Sequence, residues 1–313
     1  MTDFPEFVHR LLEPIPQYVL GCIPAIAIVG ASPTDKFSRK LIWVLRSLGC
    51  PFIGILYSLN VGGNEQSRCL FWLPVDYFVK GETNKRLEYR PIGLYTMKPR
   101  DNQDIDEYVN RCTAKISVIE RLSPVISLYY IIIGGLAGIS RTTGSNACED
   151  WPFIPILLLW TIPALCRRII SGNLVVRDPK KEFKNIKIIM DDEPDDRSQK
   201  RITVPLTAFV SIVVPWLAVL LAYFTPPIGY FCRSKYVTTI CAIWSFNSTI
   251  AFLCHLIGEK DLNKPQIFHT WFSFCGFIVA ILLFVLGLFN KNPEWWTGMF
   301  GQSCNESSAG CSY

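Results

Sequence analysis

The longest unbroken apolar stretches lie in the second half of the chain. Residues 202–224 read ITVPLTAFVSIVVPWLAVLLAYF and hold no charged side chain. As a helix they are long enough to cross a hydrocarbon core of about 30 Å. A Pro-rich corner, TPPIGYFCRSKY, then stops the helix, and residues 237–257 carry the chain back. Runs at 122–140, 151–170 and 267–290 read in the same way. The pattern predicts an all-α membrane protein with five transmembrane helices, or seven if residues 15–62 also enter the bilayer.

Residues 15–62 admit two readings. One is a pair of short spans, Ile15–Ala31 and Leu41–Gly62. The other is strand, turn, helix, strand: Ala25–Val29, a turn at Gly30-Ala31-Ser32-Pro33, a helix over Lys36–Leu48 and a strand at Phe52–Tyr57. The helix is the firmest part, because Phe37, Leu41, Val44, Leu45 and Leu48 share one face. Lys36, Arg39, Lys40 and Arg46 occupy the other, which lipid tolerates poorly. Gly49 and Pro51 mark its end. The IVGASP stretch resembles the opening of CoA- or nucleotide-binding Rossmann units, without the G-x-G-x-x-G fingerprint.

Polar residues divide the rest. Residues 1–115 form an N-terminal cytoplasmic or interfacial module, with short strands expected near Leu87–Met97 and a helix from Asp104 running straight into the first span. Residues 116–290 form the transmembrane domain, interrupted by the charged loop 176–201. Residues 291–313 form a tail with two cysteines. Basic residues cluster before Leu122 and after Ile170, where Arg167-Arg168 snorkel at a span end. The positive-inside rule makes those segments cytoplasmic and the C-terminal tail extracellular or luminal, in the plasma membrane or a secretory-pathway membrane.

Cysteines and one sequon agree with that sidedness. Cys148, Cys232, Cys304 and Cys311 all fall on the outer side, where disulfides persist; three pairings are open. Asn305-Glu306-Ser307 is an N-glycosylation sequon in the outer tail. Cys69 and Cys112 lie on the inner side and are expected as thiols.

Candidate chemistry is sparse. Cys241, Ser245, Ser248, Phe252 and His255 line one face of the 237–257 helix. They read either as a permeation pathway with His255 as a protonation switch, or as interhelical hydrogen bonding. Asn247, on the opposite face, reads as a bond to a neighbouring helix. The acidic cluster Asp191–Asp196 lacks EF-hand spacing, and no C-x-x-C pair, nucleophile elbow, H-E-x-x-H or Walker A motif is present. No metal or other cofactor is expected. A net charge of +5, spread over loops, excludes a nucleic-acid groove.

The corner TPPIGYFCRS resembles a group of fungal polytopic membrane proteins with a similar T-P-P-x-G-x-x-C-R-S segment, over about Val204 to Glu259. The resemblance implies a fungal membrane protein and carries no activity to any residue. The leading expectation is an integral membrane protein forming an ion or small-solute pathway as a homo-oligomer in the lipid bilayer. The alternative is a scaffold or sensor that docks a cytoplasmic partner through 176–201, and a lipid-modifying enzyme is third.

Overall fold

The computed structural model describes residues 17–59, 65–81, 85–91, 93, 97–100, 105–143, 151–184, 186–194, 198–225, 228–258, 267–289 and 293–301. A π-helical turn (Gln17–Cys22) leads into α1 (Ile23–Val29), followed by α2 (Phe37–Gly49) and α3 (Pro51–Leu59). Next come α4 (Glu65–Phe71), β1 (Phe78–Lys80), β2 (Met97–Pro99), α5 (Ile105–Cys112) and β3 (Thr113–Lys115). The helical body continues with α6 (Val118–Thr142), α7 (Phe153–Leu157) and α8 (Ile162–Ile170). A second polar segment supplies β4 (Asn173–Val175), α9 (Pro179–Glu182) and β5 (Ile188–Pro194). The chain then forms α10 (Ser198–Val213), α11 (Trp216–Phe224), α12 (Cys232–Ile257), α13 (Ile267–Phe289) and α14 (Pro293–Phe300).

Among the described residues, four helical stretches are long and apolar enough to cross a membrane: α6, Ile202–Phe224 within α10–α11, α12 and α13. Their outward faces suit lipid. On α13 the exposed side chains Ile267, Phe268, Trp271, Phe274, Phe277, Ile281 and Phe284 recur at helical spacing. A continuous apolar stripe of that size on a water-soluble surface would drive association. A Ser117–Glu120 capping box starts α6.

Residues 151–170 differ from the expected single span. They form α7, a 3₁₀ turn at Leu159–Thr161 and α8; Pro163 in the first turn of α8 has no amide hydrogen to bond one turn back and so ends a continuous helix there. This broken rod is nonetheless the centre of the largest buried cluster, with Ile156, Leu157, Leu158 and Trp160 almost wholly enclosed. Gly134 and Gly138 of α6 make room for it, since an added Cβ at either would collide with Pro155 or Ile156.

The strand–turn–helix–strand reading of residues 25–57 is corrected at both strands, which are the helices α1 and α3. A six-residue apolar run carries no period long enough to separate the two states. With no strand at Ala25–Val29, the likeness of IVGASP to a Rossmann opening has no structural counterpart. The helix over Lys36–Leu48 is present as α2, but the chain bends by 106° between α2 and α3. Ala31 and Ser32, just before α2, and Tyr57 and Ser58, near the end of α3, line one cavity. The pair therefore dips inward and returns to its starting level. At the bend Gly49 lies against α13 so closely that an added Cβ would strike the Phe272 carbonyl, and one on Gly276 would strike that of Leu45. Gly276 stands about 14 Å along α13 at 1.5 Å per residue, close to mid-depth.

The polar segments 65–115 and 171–194 fold together at one end of the bundle. β5 is the middle strand of a three-stranded sheet, parallel to β1 and antiparallel to β2, so residues 188–194 of the charged stretch belong to a sheet. β3 pairs with β4, and this strand interrupts the helix expected to run from Asp104 into α6. The buried side chains Phe78, Ile105, Val109, Phe183, Ile188 and Met190 form the module's own core. Asp35, before α2, pairs with Lys181 of α9, and that hydrogen bond holds its carboxyl below the usual carboxylate range.

The α2–α13 crossing yields a direct prediction. Gly276→Ala should destabilise the purified protein by about 1–3 kcal/mol or more through overpacking, read as a lower melting temperature in detergent. Gly172→Ala, where a Cβ meets nothing within 4 Å, should melt with the wild type. Equal melting of both variants would contradict the close backbone approach.

Candidate functional site

The polar face of α12 meets protein on every side. Ser245 Oγ donates to the Ile212 carbonyl at 2.8 Å and accepts from Trp216 Nε1 at 2.7 Å. Cys241 Sγ lies 3.2 Å from the Pro215 carbonyl as its donor. These partners flank the break at Pro215 between α10 and α11, where proline removes a helical hydrogen bond. Ser248 Oγ accepts from the Phe52 amide at 3.4 Å, and His255 is buried with its ring 6.0 Å from that of Phe52.

The opposite edge of α12 serves the α2–α3 bend. Trp244 Nε1 donates to the Leu48 carbonyl at 2.6 Å, and Asn247 Nδ2 donates to the Gly49 carbonyl at 2.8 Å. Asn247 Oδ1 accepts from Trp271 Nε1 at 3.0 Å. The carbonyls freed where the helix breaks are thus satisfied by side chains, as lipid requires. Asn247 has the role its position implied, a bond to a neighbouring helix.

Of the four cysteines expected on the outer side, Cys232 is disulfide-bonded. Cys148, Cys304, Cys311 and the sequon residue Asn305 lie outside the described residues, and the pairing with them. Cys69 and Cys112 are buried thiols outside any disulfide; a hydrogen bond from Cys69 lowers the Cys112 thiol against the opposing effect of burial. Among the described residues no group of three His, Cys, Asp or Glu could hold a metal ion.

A different constellation stands where the bundle meets the polar module. A cavity of about 110 Å³ is lined by Arg68 of α4, Arg167 and Arg168 of α8, Ser32, Tyr57, Ser58 and Ser171, with Ile28, Ala164, Leu174 and Val175 among its apolar walls. Among the described residues no acidic side chain lines it. Arg68 is fixed by donating Nη1 to the Asn173 carbonyl at 2.7 Å and lies close enough to Arg168 to repel it. The Nε atoms of Arg167 and Arg168 are buried without an acceptor among the described residues. Ser171 is 8% exposed and its Oγ is likewise without a partner there. Tyr57 accepts a bond from Trp72 Nε1 at 3.1 Å, which orients its phenol and leaves the proton to donate.

Such a pocket suits an anion with several acceptor oxygens. Guanidinium groups offer paired donors in a rigid fork, and partial burial strengthens their attraction for an opposite charge. Sequence reasoning placed Arg167-Arg168 as span-end anchors and did not join them to Arg68. The available signal was a pair of adjacent arginines directly followed by Ser171 at a helix end.

The α12 bonds set a second prediction. Asn247→Leu should lower thermal stability, and a double-mutant cycle with Trp271→Phe should give a coupling of about 0.6–1.7 kcal/mol, as for other intramembrane hydrogen bonds. Additive single effects would remove the stitching role from Asn247. No family model, curated protein or solved structure matches this chain.

Proposed function

We propose that this integral membrane protein is a receptor or sensor for phosphate-bearing anions, and that the arginine pocket between bundle and module is its binding site. The observation that carries the reading is the convergence of Arg68, Arg167 and Arg168 on one cavity whose described lining holds no carboxylate. Glu120 attracts Arg168 from nearby, and three guanidinium groups facing one cavity still favour an anion between them. On the positive-inside reading, the pocket opens on the cytoplasmic side. Occupancy would draw α4, α8 and β4 onto one ligand, coupling the module to the bundle. That arrangement fits a sensor whose module, including part of 176–201, presents a surface to cytoplasmic partners.

The test is calorimetric titration of the full-length protein in neutral detergent with inorganic phosphate and pyrophosphate. Wild type should bind, and affinity should fall with added salt. Arg168→Gln should lose about 1.5–3 kcal/mol, the worth of a hydrogen bond to a charged group, whereas Arg86→Gln, an exposed residue paired to Asp76, should bind as wild type. Anion binding unchanged by Arg168→Gln would sink the assignment.

A second reading keeps the α12 stripe as the lining of an ion or small-solute pathway in a homo-oligomer. The two helix breaks favour it, because unwound backbone at membrane depth recurs at transport sites. Flux in proteoliposomes that is reduced by Ser248→Leu and His255→Ala would support it. Silence of the wild type would leave the stripe its packing role.

A further inference from the structure

We infer that the pocket takes its phosphate from the headgroup of an anionic lipid in the adjoining leaflet, a conclusion that rests on the anion-site reading above. The position of the site is the first support. Arg167 and Arg168 stand in the last turn of α8, at the level where the bundle gives way to the polar module. The β3–β4 ladder and the bond from the Ile116 amide to the Gly172 carbonyl, 3.0 Å, tie the start of α6 to the end of α8. Around that junction Val118, Ile119 and Ile170 are 85%, 79% and 72% exposed. Three large aliphatic side chains beside an arginine cluster form a surface that acyl chains cover well and water covers poorly.

The second support is the approach to Ser32. Four residues beyond it, α2 opens with Lys36, Arg39 and Lys40, all exposed, interleaved with Phe37 at 79% exposure and the exposed Leu41. Basic and apolar side chains alternating on one exposed helical turn are the composition of a segment lying at the headgroup level, where each cation attracts anionic lipid. The third is the cavity wall. Ile28, Ala164, Leu174 and Val175 stand beside the arginines and serines. A free phosphate would be served by polar groups all round, whereas an amphiphile has use for both kinds of surface.

The three features together name the ligand class: a glycerophospholipid whose phosphate, in its most accessible form a monoester, meets the arginines while its glycerol and first methylenes pass the apolar wall. Ser171 and Tyr57 would donate to the oxygens left over.

Full-length protein in neutral detergent or in nanodiscs can be tested with phosphatidic acid, phosphatidylcholine, glycerol 3-phosphate and inorganic phosphate as separate probes, by native mass spectrometry and thermal shift. Phosphatidic acid should bind at least tenfold tighter than glycerol 3-phosphate and phosphatidylcholine. Arg168→Gln and Ser171→Val should each weaken that binding about tenfold, Arg168→Lys should restore part of it, and gel filtration should confirm folding of every variant. Glycerol 3-phosphate or inorganic phosphate binding as tightly as the lipid, in an Arg168-dependent way, would overturn the lipid source and leave the anion site standing. Lipid retention indifferent to Arg168 and Ser171 would place the lipid on the outer belt and overturn the inference. Absence of binding by every probe would remove both this inference and the anion site beneath it.

Discussion

Hydrocarbon offers no hydrogen bonds, so every peptide group freed by a break in a buried helix must find a partner in the protein. Two of the helix breaks inside the bundle, at Gly49–Pro51 and at Pro215, are answered by one helix. From α12, Trp244 and Asn247 reach the Leu48 and Gly49 carbonyls, while Cys241 and Ser245 reach the carbonyls of Pro215 and Ile212. The bundle's unusual course depends on those bonds. They also explain why α12 is polar on two edges and still lies in an apolar surrounding.

The stitched bend has a positional result. Because α2 runs inward and α3 runs back, residues on either side of the pair arrive at one level, and Ser32 and Ser58 face the same cavity as Arg167 and Arg168. A straight span at 37–59 would have carried Ser58 to the far side of the bilayer. Backbone satisfaction deep in the bundle and anion-binding capacity at its edge are therefore connected through a hairpin of two short helices. The close contact of Gly49 with Gly276 sets where that hairpin rests.

Much of the helical frame was legible in the order of residues. The runs at 122–140, 202–224, 237–257 and 267–290 are long enough that only a helix can satisfy their backbone in lipid, and each is present. Shorter runs were not legible. Phe52–Tyr57 fits a strand or a helix equally by composition, and only its packing against α10 and α12 makes it a helix. Residues 151–170 read as one span because hydropathy is blind to the proline that divides it. The arginine pocket was out of reach for a different reason: Arg68 and Arg168 are brought together by β3–β4 pairing and by the return of α3, neither of which leaves a local signature.

The sheet of the polar module joins Phe78 to Ile188, partners on either side of the α6–α8 passage. During synthesis at about 5–20 residues per second, the first of these strands waits roughly 5–20 s for the second. Through that interval β1 lacks its parallel partner, and Phe78, Ile105 and Val109 lack the Phe183, Ile188 and Met190 side chains that complete their core. Passage of α6–α8 is thus a precondition for the module, which can close once β5 is made and before α10–α13 join the bundle. Assembly of the arginine pocket falls at the same late moment, so a chain that fails to place α6–α8 in the membrane would never display it.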